Sequence, residues 1–376
     1  MTPHIEKFLA EHRPQTPCLV VDLDVVEDNY HALKNALPRA EIYYAVKANP
    51  ASQVLDRLAG LGSNFDVASI SEVDRCLASG VDPERIAFGN TVKKQDDIAT
   101  AFAQGVRLFA FDSATELEKL AVAAPGAKVF CRILVENGGA QWPLSRKFGC
   151  SARMAADLMI EARDKGLVPY GLSFHVGSQQ TDPLQWQAAI GDAAMIFTTL
   201  GAAGIELGMI DLGGGFPIRY RDDVPDIQEV ADTIMDGLVR SFGNRIPTVM
   251  IEPGRYLTAT AGLLRTEVVL ISSKDYGDDV RWVYLDVGKF GGLAETMDEA
   301  IKYPIRTLRD GDETGPVAVA GPTCDGADIL YEKSGYRLPL SLKVGDQVDI
   351  LNTGAYTTTY SSVGFNGFPP LKEFYL

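Results

Sequence analysis

Tyr43-Tyr44-Ala45-Val46-Lys47-Ala48-Asn49-Pro50 is an apolar, strand-like run that carries one lysine near its end. Ala-Asn-Pro breaks the strand just after Lys47, which sets the ammonium at the C-terminal mouth of a buried strand. A barrel of parallel strands keeps its chemistry at that end. Apolar surroundings disfavour the charged form of a lysine, lowering its pKa and freeing the amine for Schiff-base chemistry with a carbonyl. A lysine snorkelling off a strand end fits the same residues, so this stretch alone leaves both readings open.

Strand patterns recur at residues 42–46, 64–68, 86–88, 108–111, 128–133, 171–176, 209–212 and 248–251, and helical patterns such as 69–79 and 152–164 separate most of them. Eight strands, each usually followed by a helix, predict an α/β chain built on a (β/α)8 TIM-like barrel. An earlier strand at 18–23 leads into a helical stretch at 25–37, and it either bridges to a second domain or joins it. Beyond about residue 263 the runs 267–272, 281–286, 316–320 and 347–352 are short, β-rich and separated by Gly, Asp and Pro. They predict a C-terminal antiparallel β-domain. The expected division is a barrel over 20–262 and a β-sandwich or barrel-like domain over 263–376, with 1–19 joining the latter.

At 376 residues the chain has room for two such cores. Its 36 glycines and 20 prolines punctuate many short apolar runs, which argues against a bundle of a few long helices. A net charge of −15 argues against nucleic acid or an anionic membrane as main partner and favours a cationic ligand. No basic segment leads into an apolar run at Met1-Thr2-Pro3-His4-Ile5-Glu6-Lys7, and no stretch approaches a membrane span, so a cytoplasmic setting is expected. Five cysteines, Cys18, Cys76, Cys131, Cys150 and Cys324, show no metal-like spacing; reduced thiols and no metal are expected. Four of them sit among apolar or small residues and read as core fillers, whereas Gly321-Pro322-Thr323-Cys324-Asp325-Gly326 presents Cys324 on a loop.

Three further stretches can carry chemistry. Phe174-His175-Val176-Gly177-Ser178-Gln179 ends an apolar strand in a histidine, and the other three histidines lie within the first 31 residues. His175 is either structural or a neutral imidazole that stacks on a planar ring or moves a proton. Ile210-Asp211-Leu212-Gly213-Gly214-Gly215-Phe216-Pro217 is a strand followed by three glycines, which either make a tight turn or crowd backbone N–H groups around an anionic oxygen. Val249-Met250-Ile251-Glu252-Pro253-Gly254-Arg255 sets an acid and a base about a Pro-Gly turn. They form a capping ion pair, or Glu252 holds a ring nitrogen protonated while Gly254 and Arg255 receive a phosphate.

Taken in order, Tyr44-Ala45-Val46-Lys47-Ala48-Asn49, His175-Val176-Gly177-Ser178, Gly213-Gly214-Gly215-Phe216-Pro217, Glu252-Pro253-Gly254-Arg255, Gly321-Pro322-Thr323-Cys324-Asp325 and Gly354-Ala355-Tyr356 carry a resemblance. The array resembles the ornithine decarboxylase branch of the alanine-racemase-fold decarboxylases that use pyridoxal 5'-phosphate (PLP), from about Pro17 to the C-terminus. The resemblance implies a barrel plus a β-domain and a homodimer with shared sites. By the same resemblance Lys47 would link to the cofactor as an imine, His175 would stack on its ring, and Glu252 would pair with the pyridine nitrogen. Ser178, Gly215, Gly254, Arg255 and Tyr356 would hold the phosphate, with Asp66, Glu72 and Arg132 as a polar shell. Cys324 and Asp325 would enter from the partner subunit, with Cys324 returning a proton to Cα after CO₂ leaves.

The residue after the loop cysteine speaks to the substrate. Diaminopimelate decarboxylases characteristically carry Glu there, so Asp325 favours a cationic distal group, and L-ornithine going to putrescine in polyamine biosynthesis is the expected reaction. Asp298, by its spacing from Asp286, matches the family's second acid for the distal amine, and Glu295 is its rival because Met297 stands where an aromatic is usual. One methylene is worth only about 1 to 3 kcal/mol in a pocket, so L-lysine going to cadaverine is expected as well. The alternatives are a diaminopimelate decarboxylase and a catalytically inactive regulatory relative. An alanine racemase fits less well, because it needs a second Cα acid/base, usually a tyrosine, where this chain offers Cys324.

Overall fold

In the computed structural model, which describes residues 1–135, 138–142 and 147–376, eight parallel strands close into a barrel. They are β1 (Ala40–Ala45), β2 (Asn64–Val67), β3 (Ile86–Phe88), β4 (Leu108–Phe111), β5 (Lys128–Arg132), β6 (Val168–Ser173), β7 (Met209–Asp211) and β8 (Thr248–Ile251). Closure comes from β8 pairing with β1, Val249 opposite Ala40 and Ile251 opposite Ile42. Polar caps start the intervening helices. Ser69, Ser113 and Asp226 each accept from the backbone N–H of a glutamate three residues on, Glu72, Glu116 and Glu229. Ser69 and Ser113 stand two residues past their strand ends, which makes strand and helix alternate legibly there, whereas Asp226 follows a longer connection from β7.

Side chains from six strands, Tyr43, Ala87, Ala110, Phe130, Met209 and Met250, form one buried cluster that fills the barrel interior. The period of two then decides what reaches the mouth. Two residues on from Phe130, Met209 and Met250 stand Arg132, Asp211 and Glu252. Asp66 joins them, because it lies opposite Ala45 in register and Ala45 shares the face of Tyr43. Lys47 arrives differently from the strand-end placement expected of it. β1 stops at Ala45, and Val46–Ala48 form a 3₁₀ turn that delivers the lysine.

The barrel unit comprises Glu27–Pro217 and Val224–Tyr256, and the second unit Met1–Val26, Ile218–Asp223 and Leu257–Leu376. The second unit holds a nine-stranded sheet whose backbone is Ile305–Thr307, Gln347–Leu351, Gly262–Ser272, Arg281–Leu285, Thr314–Ala320 and Ile329–Tyr331. Most pairs are antiparallel, as expected of this region, but Arg281–Leu285 runs parallel to Thr314–Ala320. Residues 286–313 between them are long enough for the crossover a parallel pair requires. The early strand Cys18–Val21 belongs here too, antiparallel to Gly262–Ser272 and parallel to Lys372–Tyr375. Its inner face meets Ile5, Leu9 and Leu263 in a second apolar core.

Candidate active site

The turn bearing Lys47 is held from both sides. Tyr44, fully buried, donates its hydroxyl to the Asn49 carbonyl at 2.9 Å, and Asn49 Oδ1 accepts from the Ala51 N–H at 3.2 Å. The N–H of Ala45 donates to the Pro253 carbonyl at 3.1 Å, which ties the lysine turn to the turn after Glu252. Lys47 Nζ lies 3.8 Å from Asp66 Oδ2, and the lysine side chain is 47 % exposed. The apolar setting expected of Lys47 is therefore corrected: a carboxylate and an open mouth surround it, because the turn lifts it clear of the barrel core.

Asp66 and Asp211 are buried at that mouth with Glu252 as a common neighbour. Burial pushes the Asp66 carboxyl well above the usual carboxylate range, the charge of Glu252 adds to this, and Lys47 opposes it. Burial likewise raises Asp211, followed by the charge of Glu252 and a hydrogen bond to it. Asp211 Oδ1 accepts from the Gly213 N–H at 2.9 Å, and the carboxyl is held toward its protonated form beside Glu252. Sequence reading had passed over Asp211. Its signal is that it follows Met209 by two residues, as Glu252 follows Met250.

His175 is neutral. Burial takes its pKa well below the ordinary value, helped by the cations of Arg132 and Lys47. Gly177 N–H donates to Nδ1 at 2.9 Å, so the ring proton resides on Nε2. The glycine run explains itself by contact. A Cβ on Gly213 would stand 2.4 Å from the Phe174 carbonyl oxygen, one on Gly214 2.6 Å from that of Glu252, and one on Gly215 2.3 Å from that of Gly177. Backbone thus crowds a space that no side chain can enter. Arg255 turns to this corner, donating to Ser178 Oγ from Nη2 at 3.2 Å and from Nε at 3.4 Å. Arg132 lies over the Phe148 ring, 4.9 Å from its centroid, and the Glu72 carboxylate accepts from the Ala68 N–H at 2.7 Å.

The structure places Lys47, Asp66, Arg132, His175, Ser178, Gly215, Glu252, Gly254 and Arg255 in the barrel unit, and Cys324, Asp325, Asp298, Glu295 and Tyr356 in the second. There Cys324 is exposed, and its N–H donates to Asn366 Oδ1 at 3.0 Å. The loop is organised by Asp328, another residue the sequence reading passed over. Its buried carboxylate accepts from the N–H of Lys289 at 2.8 Å and from the N–H and hydroxyl of Thr323 at 3.2 and 2.7 Å. Asp325 Oδ1 accepts from the Ala327 N–H at 2.8 Å. Glu295 is buried and accepts from the Tyr303 hydroxyl at 3.4 Å. Asp298 is exposed, has a left-handed backbone (φ 52°), and lines a polar pocket of about 530 Å³ with Glu299, Glu332, Lys289, Lys302 and Lys333. Tyr356 is also left-handed (φ 55°).

Residues 23–259 match the pyridoxal-binding domain of the pyridoxal-dependent decarboxylases. The lysine/ornithine decarboxylase of Selenomonas ruminantium is 38 % identical over 364 residues, spanning 96 % of this chain and 90 % of that one. Antizyme inhibitor 2 of Xenopus laevis is 35 % identical over 364 residues, spanning 93 % and 78 %. Among solved structures, an SrLDC variant in complex with PLP superposes with a TM-score of 0.91 at 37 % identity, covering 100 % of this chain and 95 % of that one. The arginine decarboxylase of Paramecium bursaria Chlorella virus superposes with a TM-score of 0.91 at 30 % identity, covering 100 % of both.

Proposed function

Because the chain belongs to the pyridoxal-dependent decarboxylases, it is a PLP-dependent decarboxylase of a basic amino acid, and we propose that its main substrate is L-ornithine, with L-lysine also turned over. The residues present fit the cofactor. An amine, a neutral imidazole, an acid pair and a glycine-lined corner with a guanidinium converge on the barrel mouth, and the buried Asp66 Oδ1 has no hydrogen-bond partner. Bound PLP supplies an aldehyde for the imine and a ring that accepts the electron pair left behind when CO₂ departs.

Around it the protein's groups divide the work. Lys47 is the tether. Glu252, with the Asp211 carboxyl beside it, holds a proton at the ring nitrogen, and the neutral His175 covers a ring face without adding charge. Ser178, Gly215, Gly254, Arg255 and Tyr356 bind the phosphate, with Asp66 and Arg132 flanking. In a homodimer, the partner subunit's Cys324 returns a proton to Cα, and the partner subunit's Asp325 binds the distal ammonium with Asp298. The reading of the substrate rests on one observation above others: an acid, Asp325, directly follows the exposed Cys324 on its loop, while Glu295, the rival of Asp298, is tied to Tyr303 in the core. A cytoplasmic setting and a role in putrescine formation belong to the same proposal.

Release of CO₂ from L-ornithine, L-lysine, L-arginine and meso-diaminopimelate by the purified protein tests it. Ornithine should have the highest kcat/KM, with lysine within about 200-fold. A preference for diaminopimelate or arginine contradicts the proposal. A protein inert toward all four would instead stand with the antizyme inhibitor it resembles.

A further inference from the structure

Cys131 lies one residue before Arg132 at the end of β5, and Cys150 runs beside that end. The Cys150 N–H donates to the Arg132 carbonyl at 3.1 Å, and the Cys150 carbonyl accepts from the Leu134 N–H at 2.9 Å. This bridge aligns Cys150 with Ile133, so by strand alternation both cysteines point away from the face that carries Arg132. Their sulfurs are 3.6 Å apart, both are buried, and the decarboxylation uses neither.

The pair differs from the other buried thiols. Burial pushes Cys18 up to about 11 and Cys76 up to about 12, which keeps them inert. Between Cys131 and Cys150, the hydrogen bond from the Cys131 thiol holds Cys150 below its ordinary pKa. The same contact, and then burial, push Cys131 well above. Cys150 is therefore the first of the two to become a thiolate.

We propose that Cys131 and Cys150 are an oxidation site, which a small hydroperoxide converts to a disulfide that binds the Phe148–Cys150 segment to the end of β5 beside Arg132. The Cys150 thiolate attacks one peroxide oxygen and the O–O bond breaks, giving a sulfenic acid and, after protonation, water or an alcohol. The Cys131 sulfur then attacks the Cys150 sulfur, the S–O bond breaks, and a second water leaves. Two electrons pass from the two thiols to the peroxide. The sulfurs must approach by about 1.5 Å to reach bonding distance. β5 is fixed by ladders on both sides, so the movement falls on the segment whose Phe148 ring lies against the Arg132 guanidinium. Arg132 is one of the cations that keep His175 neutral, so oxidation reaches the barrel mouth.

The test treats the wild-type protein with hydrogen peroxide, quenches it in acid, and maps the alkylated peptides by mass spectrometry. The peptides of Cys131 and Cys150 should appear joined, with the loss of two hydrogens, and should separate after dithiothreitol. In Cys150→Ser the link should vanish, and in Cys131→Ser dimedone present during unfolding should capture Cys150 as its sulfenic acid. Recovery of Cys131 and Cys150 as alkylated thiols, at peroxide doses that oxidise the exposed Cys324, overturns the proposal. A second readout is cofactor retention on gel filtration. Oxidised wild type should lose PLP several-fold faster than reduced, reversibly with dithiothreitol, while Cys150→Ser responds to neither. Equal retention alongside a mapped disulfide overturns the link to Arg132.

Discussion

Lys47 and Glu252 reach the barrel mouth by different routes, and their substitutions should fail in different ways. Lys47 comes from a turn pinned by Tyr44 and Asn49, so Lys47→Ala should leave the fold intact while abolishing turnover and any borohydride-reducible bond between cofactor and protein. A reducible bond that survives in Lys47→Ala contradicts its role as tether. Glu252→Ala should keep cofactor bound but lower decarboxylation by about 100-fold or more, since a ring nitrogen without its proton is a poor electron sink. Asp211 acts through Glu252 and supplies a sharper check. Asp211→Asn keeps a donor toward Glu252 and should retain most of kcat, whereas Asp211→Ala should lose at least about tenfold. Equal loss in both variants would mean that Asp211 serves packing alone. Lys47, His175 and Glu252 stood out because each lies just past a recognisable strand, whereas Asp211 was hidden among apolar residues and three glycines.

Strands set between helices were readable, even the three-residue β3 and β7, whereas the three-residue strands of the second unit were not. Ile305–Thr307, Ile329–Tyr331 and Arg337–Pro339 have no period of their own, and only neighbours distant in sequence define them. Two elements carry measurable charge effects. Arg265 and Asp349 face each other across paired strands and join through two hydrogen bonds of 2.8 and 2.9 Å in a buried setting. Asp349→Ala should cost about 3 to 5 kcal/mol in urea unfolding, because it strands a buried guanidinium, whereas the apolar double variant Arg265→Met with Asp349→Leu should cost less. A double variant weaker than the single one contradicts this account. In the barrel unit Lys93 donates to the carbonyls of Asn90 and Ala110 and meets Glu116 at 3.0 Å, and burial takes its pKa down to about 8. The unfolded lysine keeps about 10.4, so between these values the unfolded chain binds a proton that the folded one lacks. Stability from this group must then rise with pH across that window, and the full burial cost is present below it. Wild type should gain about 2 kcal/mol on Lys93→Met from pH 8 to 10. A difference that stays flat or shrinks refutes it.

At the scale of the whole molecule, the order of barrel then β-unit was visible because the spacing of strands changes after residue 263, where helical periodicity stops. Motif order also made the family legible, since most of the motifs fall at strand ends and in turns. The sharing of a site between two copies comes from the family resemblance alone and is a proposal. Lys47 and the carboxylates belong to the barrel, while Cys324 sits exposed on a loop of the second unit. The central claim is that each working site takes its lysine from one protomer and its cysteine and Asp325 from another. Mixing Lys47→Ala with Cys324→Ala, each inactive alone, tests this most directly through CO₂ release from L-ornithine. Random exchange makes about half the dimers mixed, and each mixed dimer has one site with both lesions and one with neither. The account predicts recovery of about a quarter of wild-type activity per site. A mixture as inactive as its parents, with subunit exchange verified by labelled chains, would contradict it.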